Sequence, residues 1–198
     1  MNKSIAFFIL AALATFVTVP ALAQKEQPAQ AKPATAPAMK PSAGIAAEFL
    51  ERWNETGKKL VDMAQDIPEE KFDFKPKPEQ RTFVEQLLHA AGGNYYFIMA
   101  ADGKKAPDDS GFPERAKFRT RVQIVAFIQK SYADGAAVIQ KYGDKGMTET
   151  VKDPFEDQMT TRAALWLIAI SHANDHYGQL VVYYRLNGVV PPESRNQR

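Results

Sequence analysis

Between residues 44 and 188 the apolar side chains return at helical spacing, in four long stretches separated by Pro- and Gly-containing breaks. The first, about Gly44–Asp66, carries Ile45, Phe49, Trp53, Leu60, Val61 and Ala64, with Glu48, Arg52, Glu55, Lys58 and Lys59 largely elsewhere. Gly57 weakens it slightly, and Pro68 ends it. Glu69–Pro78 cannot be a regular element with Pro76 and Pro78 inside it, yet Phe72 and Phe74 call for burial, so an ordered loop is expected. The second helix starts at Thr82-Phe83-Val84-Glu85, a capping box in which the Thr hydroxyl caps the Glu85 amide and Glu85 reaches back. It runs through Leu87, Leu88, His89, Ala91, Tyr95, Ile98 and Met99 to Asp102-Gly103, and Lys104–Lys117 reads as a polar crossover. The third, about Thr120–Tyr142, shows a broad face of Val122, Val125, Ala126, Ile128, Ala133, Ala136, Ala137 and Ile139. Gly143–Asp157 is a second connector, broken by Gly143, Gly146 and Pro154. The fourth helix begins near Thr160 or Thr161 and stops at Asn187-Gly188, a left-handed cap ahead of Pro191-Pro192. No internal repeat is visible and no strand-like alternation persists, so the fold class is all-α, a four-helix bundle.

The ends of the chain read differently. Lys3, an apolar run over Ile5–Val19 and the small-residue pattern Ala21-Leu22-Ala23 predict a signal peptide over 1–23, cut after Ala23. The run is short against the roughly 20 residues that span a bilayer, and Pro20 interrupts its end. The product is therefore expected to be periplasmic or secreted, without membrane attachment after cleavage. Residues 24–42 are rich in Ala, Pro, Lys and Gln and read as a disordered linker. The bundle domain then spans 43–192, with a C-terminal tail over 193–198.

A formal net charge of +2 with mixed signs throughout gives no electrostatic footprint for nucleic acid. The absence of cysteine excludes disulfides, thiolate metal sites and a cysteine nucleophile. No GxSxG elbow, P-loop or HExxH is present. What remains is the stretch Ser171–Leu180, which holds two of the chain's 3 histidines. His172 and His176, four residues apart on a helix, share one face and lie on the apolar stripe of Leu165, Ala169, Leu180 and Tyr183. His89 shares its stripe with Gly92, Gly93 and Tyr96. Glycine in mid-helix costs roughly 1 kcal/mol relative to Ala, which points to close packing or deliberate room beside His89. Spacing alone leaves two readings: a metal clamp of neutral imidazoles, or hydrogen-bonded core histidines. Asp175 and Gln179 are candidates to orient the rings from behind. Tyr95, Tyr96, Tyr183 and Tyr184 read mostly as packing residues, a hydroxyl near a metal being the exception.

The tail H-A-N-D-H-Y-G-Q-L, the single His of L-L-H-A-A-G and the loop P-E-E-K-F-D-F-K-P together resemble the DinB/YfiT superfamily, over about Ile45–Pro192. The resemblance implies an up-down-down-up four-helix bundle, often a homodimer, with a divalent metal on His89, His172 and His176. Relatives include thiol-dependent S-transferases and isomerases and metal-dependent hydrolase-like proteins. The secretion signal departs from that pattern and argues against a thiol transferase, because low-molecular-weight thiols are mainly cytoplasmic. The expectation is an exported metal-dependent hydrolase or transferase of a small molecule that the sequence does not identify. Its cofactor would be a divalent transition metal, zinc or nickel first, although three imidazoles also suit copper, iron or cobalt. The alternative is a non-catalytic metal- or ligand-binding module of the cell envelope.

Overall fold

The computed structural model describes residues 44–195. The expected signal peptide and linker lie outside the described residues, as does the end of the tail. Four long helices carry the fold: α1 (Ile45–Asp66), α2 (Phe83–Ala101), α3 (Arg121–Met147) and α4 (Arg162–Leu186). A single turn, α5 (Pro192–Arg195), follows. No helix among the described residues is long and apolar enough to cross a membrane.

The starts are chemically marked. Thr82 and Thr120 each form a full capping box, with Glu85 and Gln123, and the Thr161 hydroxyl accepts from the Ala164 amide at 3.2 Å. The loop before α2 is ordered as expected. The Phe74 and Phe72 carbonyls accept from the Phe83 and Val84 amides at 3.0 and 3.1 Å, so the loop itself satisfies donors of the first turn.

Cross-helix bonds fix the directions. At the start of α3, Arg121 donates to the carbonyls of Ala64 (2.7 Å), Gln65 (2.9 Å) and Ile67 (2.8 Å) at the end of α1. At the other end Asp144 accepts from the Ala46 amide at 2.8 Å, so α1 and α3 are antiparallel. Arg162 at the start of α4 donates to the Ala101 carbonyl closing α2, and Gln86 near the start of α2 meets Gln179 late in α4. Those two are antiparallel as well. Trp53 meets Trp166 edge-on near the starts of α1 and α4, and Tyr184 reaches the Met63 carbonyl near their ends. Tyr95 donates to Asp134 and Tyr142 to Asp102, which makes α2 and α3 parallel neighbours. The bundle therefore runs up, down, down, up. Parallel neighbours need a connection that travels the length of the bundle, and Asp102–Thr120 makes that journey.

Two features differ from the sequence reading. The buried face of α3 is Ile124, Ile128, Ser131, Tyr132, Gly135 and Ile139, whereas Val122 is 77% exposed and Ala126, Ala133 and Ala137 face solvent. Small alanines made the apolar face look broader than it is. They carry little burial energy, and the helix instead turns Tyr132 against Trp53 and Gly57, where a Cβ on Gly57 would stand 2.6 Å from the ring. The second connector also holds a hairpin, β1 (Thr150–Lys152) with β2 (Met159–Thr161), pairing Val151 opposite Thr160. Three residues per strand are too few for alternation to register. Gly143, at φ 56°, breaks α3 before its last turn.

Candidate metal centre

The seam between α2 and α4 brings all three histidines together. One ring nitrogen from each of His89, His172 and His176 lies within 4.8 Å of the others. The Nε2 atoms of His172 and His176 are 3.0 Å apart, and the His89 ring centroid is 4.7 Å from that of His176. His176 is buried; His89 and His172 are half-buried.

The two mid-helix glycines explain how the rings fit. A Cβ on Gly93 would stand 2.8 Å from Cε1 of His172, and one on Gly92 would stand 2.2 Å from the Ser110 carbonyl oxygen. Gly93 thus leaves room for an imidazole, and Gly92 lets the long crossover lie against α2. That crossover then orients His89. Its Nδ1 donates to the Gly111 carbonyl, which can only accept, so the Nε2 lone pair is left free. The Phe112 ring lies 5.5 Å from the His89 ring.

His176 is held from behind by Gln86, whose amide lies 2.7 Å from Nδ1 and 2.5 Å from the Gln179 oxygen. Reversing both glutamine amides keeps these contacts and lets Gln86 accept from a protonated Nδ1, freeing Nε2 as a ligand. The Nδ1 of His172 is buried without a partner, a cost that the fold does not repay. Burial, then the neighbouring His172 and His89, push the His176 imidazole down to about 3. Burial also lowers His89 and His172, against the Gly111 bond in the first case and the Asp175 charge in the second. All three rings are neutral near pH 7, the form that ligates metals. The set fits a divalent transition metal: three neutral imidazoles, with neither a hard carboxylate cage nor a thiolate.

Two hollows flank the centre. A cavity of about 280 Å³ is lined by His89, His172, Gly93, Tyr96, Phe97, Gly111, Phe112 and Phe155. On the other side, along the seam, a polar cleft of about 380 Å³ is lined by Glu79, Gln80, Arg81, Gln86, Gln179 and Tyr183. Of the expected orienting residues, Gln179 acts through Gln86, while Asp175 is exposed and reaches His172 only through its charge. Tyr96 borders the cavity with its hydroxyl directed to the Asp108 carbonyl at 3.3 Å. The sequence reading missed Gln86, although it sits one turn before His89 on the same face. It also missed Gly111, Phe112 and Phe155, which lie in connectors where no periodicity points to the site.

Comparison with known proteins agrees with this fold. The family model described as the DinB superfamily matches residues 52–180. A DinB-like protein from Bacillus cereus superposes with a TM-score of 0.61 at 18% identity, covering 73% of this chain and 93% of that one. A DinB-like protein from Bacillus subtilis gives 0.56 at 17% identity, covering 71% and 92%. YfiT from Bacillus subtilis, described as "a probable metal-dependent hydrolase with an unusual four-helix bundle topology", gives 0.53 at 16% identity, covering 76% and 94%. No curated protein sequence matches. The family match covers most of the bundle and includes all three histidines, and on it the chain belongs to the DinB superfamily.

Proposed function

We propose that His89, His172 and His176 hold one divalent transition metal, zinc or nickel first, and that the protein is a metal-dependent hydrolase or transferase of a small molecule. One observation carries this: three ring nitrogens from two helices within 4.8 Å of one another, with their lone pairs unprotonated. When bound, the metal supplies Lewis-acid polarisation of an electrophile. The chain's own residues do the rest. Gly111 fixes the tautomer of His89, Gln86 and Gln179 fix that of His176, and Gly93 sets the position of His172. The rings of Phe97, Phe112 and Phe155 make one side of the centre apolar. The histidines act as ligands, not as acids or bases, since a ligating nitrogen cannot also shuttle a proton. The same proposal takes residues 1–23 as a signal that sends the protein to the periplasm or the medium, and the mature chain as a homodimer. A second reading, a non-catalytic binding module of the envelope, is favoured by one observation: no carboxylate lines the aromatic cavity, and Glu79 in the polar cleft is exposed.

The test is the metal content of the untagged protein beside a triple His→Ala variant. About one ion per chain in the first and none in the second is expected. If the wild-type protein stays metal-free after incubation with zinc or nickel, both readings of a metal centre are abandoned.

A further inference from the structure

The seam between α2 and α4 is chemically lopsided about its histidines. Toward the start of α2 lie Arg81, Gln86 and Gln179; toward its end lie Phe97, Tyr96 and Phe155. From Gln86 to Phe97 the helix rises about 16 Å, with His89 between them.

The Arg81 side chain anchors nothing among the described residues. The residue is half-buried and its carbonyl accepts from the Tyr183 hydroxyl at 2.8 Å, but its guanidinium meets no carboxylate or carbonyl among the described residues. Arg115, Arg121, Arg162 and Arg195 are all anchored by such partners. Arg81 also precedes the N-cap of α2, where the helix dipole disfavours a cation. Its charge reaches all three imidazoles. At the opposite end Phe112 and Phe155 are 66% and 62% exposed, come from separate connectors, and edge the same cavity. Phe155 packs on Tyr96 and Phe97 at 5.5 and 5.4 Å. Two exposed rings gathered at one rim form an apolar patch that the fold itself does not need.

We infer that this seam takes an elongated ligand with an apolar ring or chain between Phe112 and Phe155 and a carboxylate at Arg81, its middle lying over the three histidines. The inference rests on the proposed function only for what happens to that middle; the binding itself needs no metal. Glu79 lies in the same cleft, but in solvent, where its repulsion of the carboxylate is screened.

The probes are 6-phenylhexanoate, its neutral amide and hexanoate, titrated calorimetrically into the full chain in metal-stripped and zinc-treated forms, with zinc content assayed on the same samples. In the metal-stripped form the acid should bind about tenfold tighter than the amide, and hexanoate should bind weakest. Arg81→Gln should erase the preference for acid over amide, and Arg81→Lys should restore part of it. Phe155→Ala should weaken acid and amide alike. Lys105, which lines a separate cavity of about 880 Å³ beyond Tyr96, supplies the control, and Lys105→Gln should change nothing. Equal binding of acid and amide by the wild-type chain, or loss of the preference in Lys105→Gln rather than Arg81→Gln, overturns the inference. A chain that takes up zinc but shows no preference loses this inference alone; one that shows the preference without taking up zinc loses the metal centre alone.

Discussion

At the scale of single residues, Gly92 and Gly93 are neighbours with different duties, and substitution separates them. The group that a Cβ on Gly93 would strike is the tip of the His172 ring, which can swing aside, while Ala gains about 1 kcal/mol of helix propensity. Gly93→Ala should therefore leave the urea midpoint unchanged or slightly raised and weaken metal binding at least about tenfold, because a displaced ring no longer converges. At Gly92 the obstacle is backbone of the crossover, so Gly92→Ala should lower stability by about 1–3 kcal/mol as that segment is pushed off α2. Equal effects of the two on stability would refute this division. The histidines give a pH prediction for metal-free protein. His176 titrates at about 3 when folded, against roughly 6.5 unfolded, so between those values the unfolded chain binds more protons. Stability is then complete above about pH 6.5 and falls as the pH drops toward 3. Asp66 and Glu85, held below the usual carboxylate range by Arg195 and by the Thr82 amide, act in the same direction but only below about pH 4. Melting curves between pH 7.5 and 4.5 should thus show a decline that His176→Gln flattens; an equal decline in both would show that the ring is not the cause.

Among the elements, legibility followed local chemistry. The Thr82 box and the Thr161 and Asn187 ends of α4 are written in a few adjacent residues, and the structure places them where the spacing predicts. Of the stripe read as Leu165, Ala169, His172, His176, Leu180 and Tyr183, all are buried except His172, which is half-buried. The face of α3 misled because alanine counts as apolar in a pattern but contributes little in a core, so Ser131 and Gly135 took the places assigned to Ala126 and Ala133. The hairpin at Thr150–Thr161 stayed hidden, since its order comes partly from Asp153 accepting from the Phe155 and Glu156 amides, a turn with no periodic signature. Arg121 was equally silent, because its partners are carbonyls more than fifty residues away. It closes the end of α1, whose last turn has no basic residue of its own. Arg121→Met should cost about 2 kcal/mol in urea unfolding and should speed amide exchange at the end of α1 before any other helix. A loss spread evenly over all helices would argue against a local cap.

For the whole molecule, sequence told how many helices there are but not which ones touch. That depends on pairs such as Arg121 with Ile67 and Gln86 with Gln179, while Tyr95 with Asp134 and Tyr142 with Asp102 make α2 and α3 parallel, an order that the family resemblance implied and helical periodicity alone could not. The direction matters to the site: parallel neighbours force the long return of Asp102–Thr120, and that return delivers the Gly111 carbonyl and the Phe112 ring to His89. The centre is thus assembled from three separated parts of the chain and exists only in the native fold. A metal that binds there and not to the unfolded chain must stabilise the fold by mass action, about 2.7 kcal/mol at a hundredfold excess over its Kd. For a domain of this size that is a rise of about 5–10 °C in Tm. Zinc or nickel should produce this rise in the wild-type protein, chelation should reverse it, and the triple His→Ala variant should show neither effect. The Arg121→Met variant should show the full rise from a lower starting point, since its lesion lies at the end of α1 and not on the α2–α4 seam. A metal-induced rise that persisted in the triple variant would place the ion elsewhere, and its absence from the wild-type protein would leave three uncharged histidines with a purely structural duty.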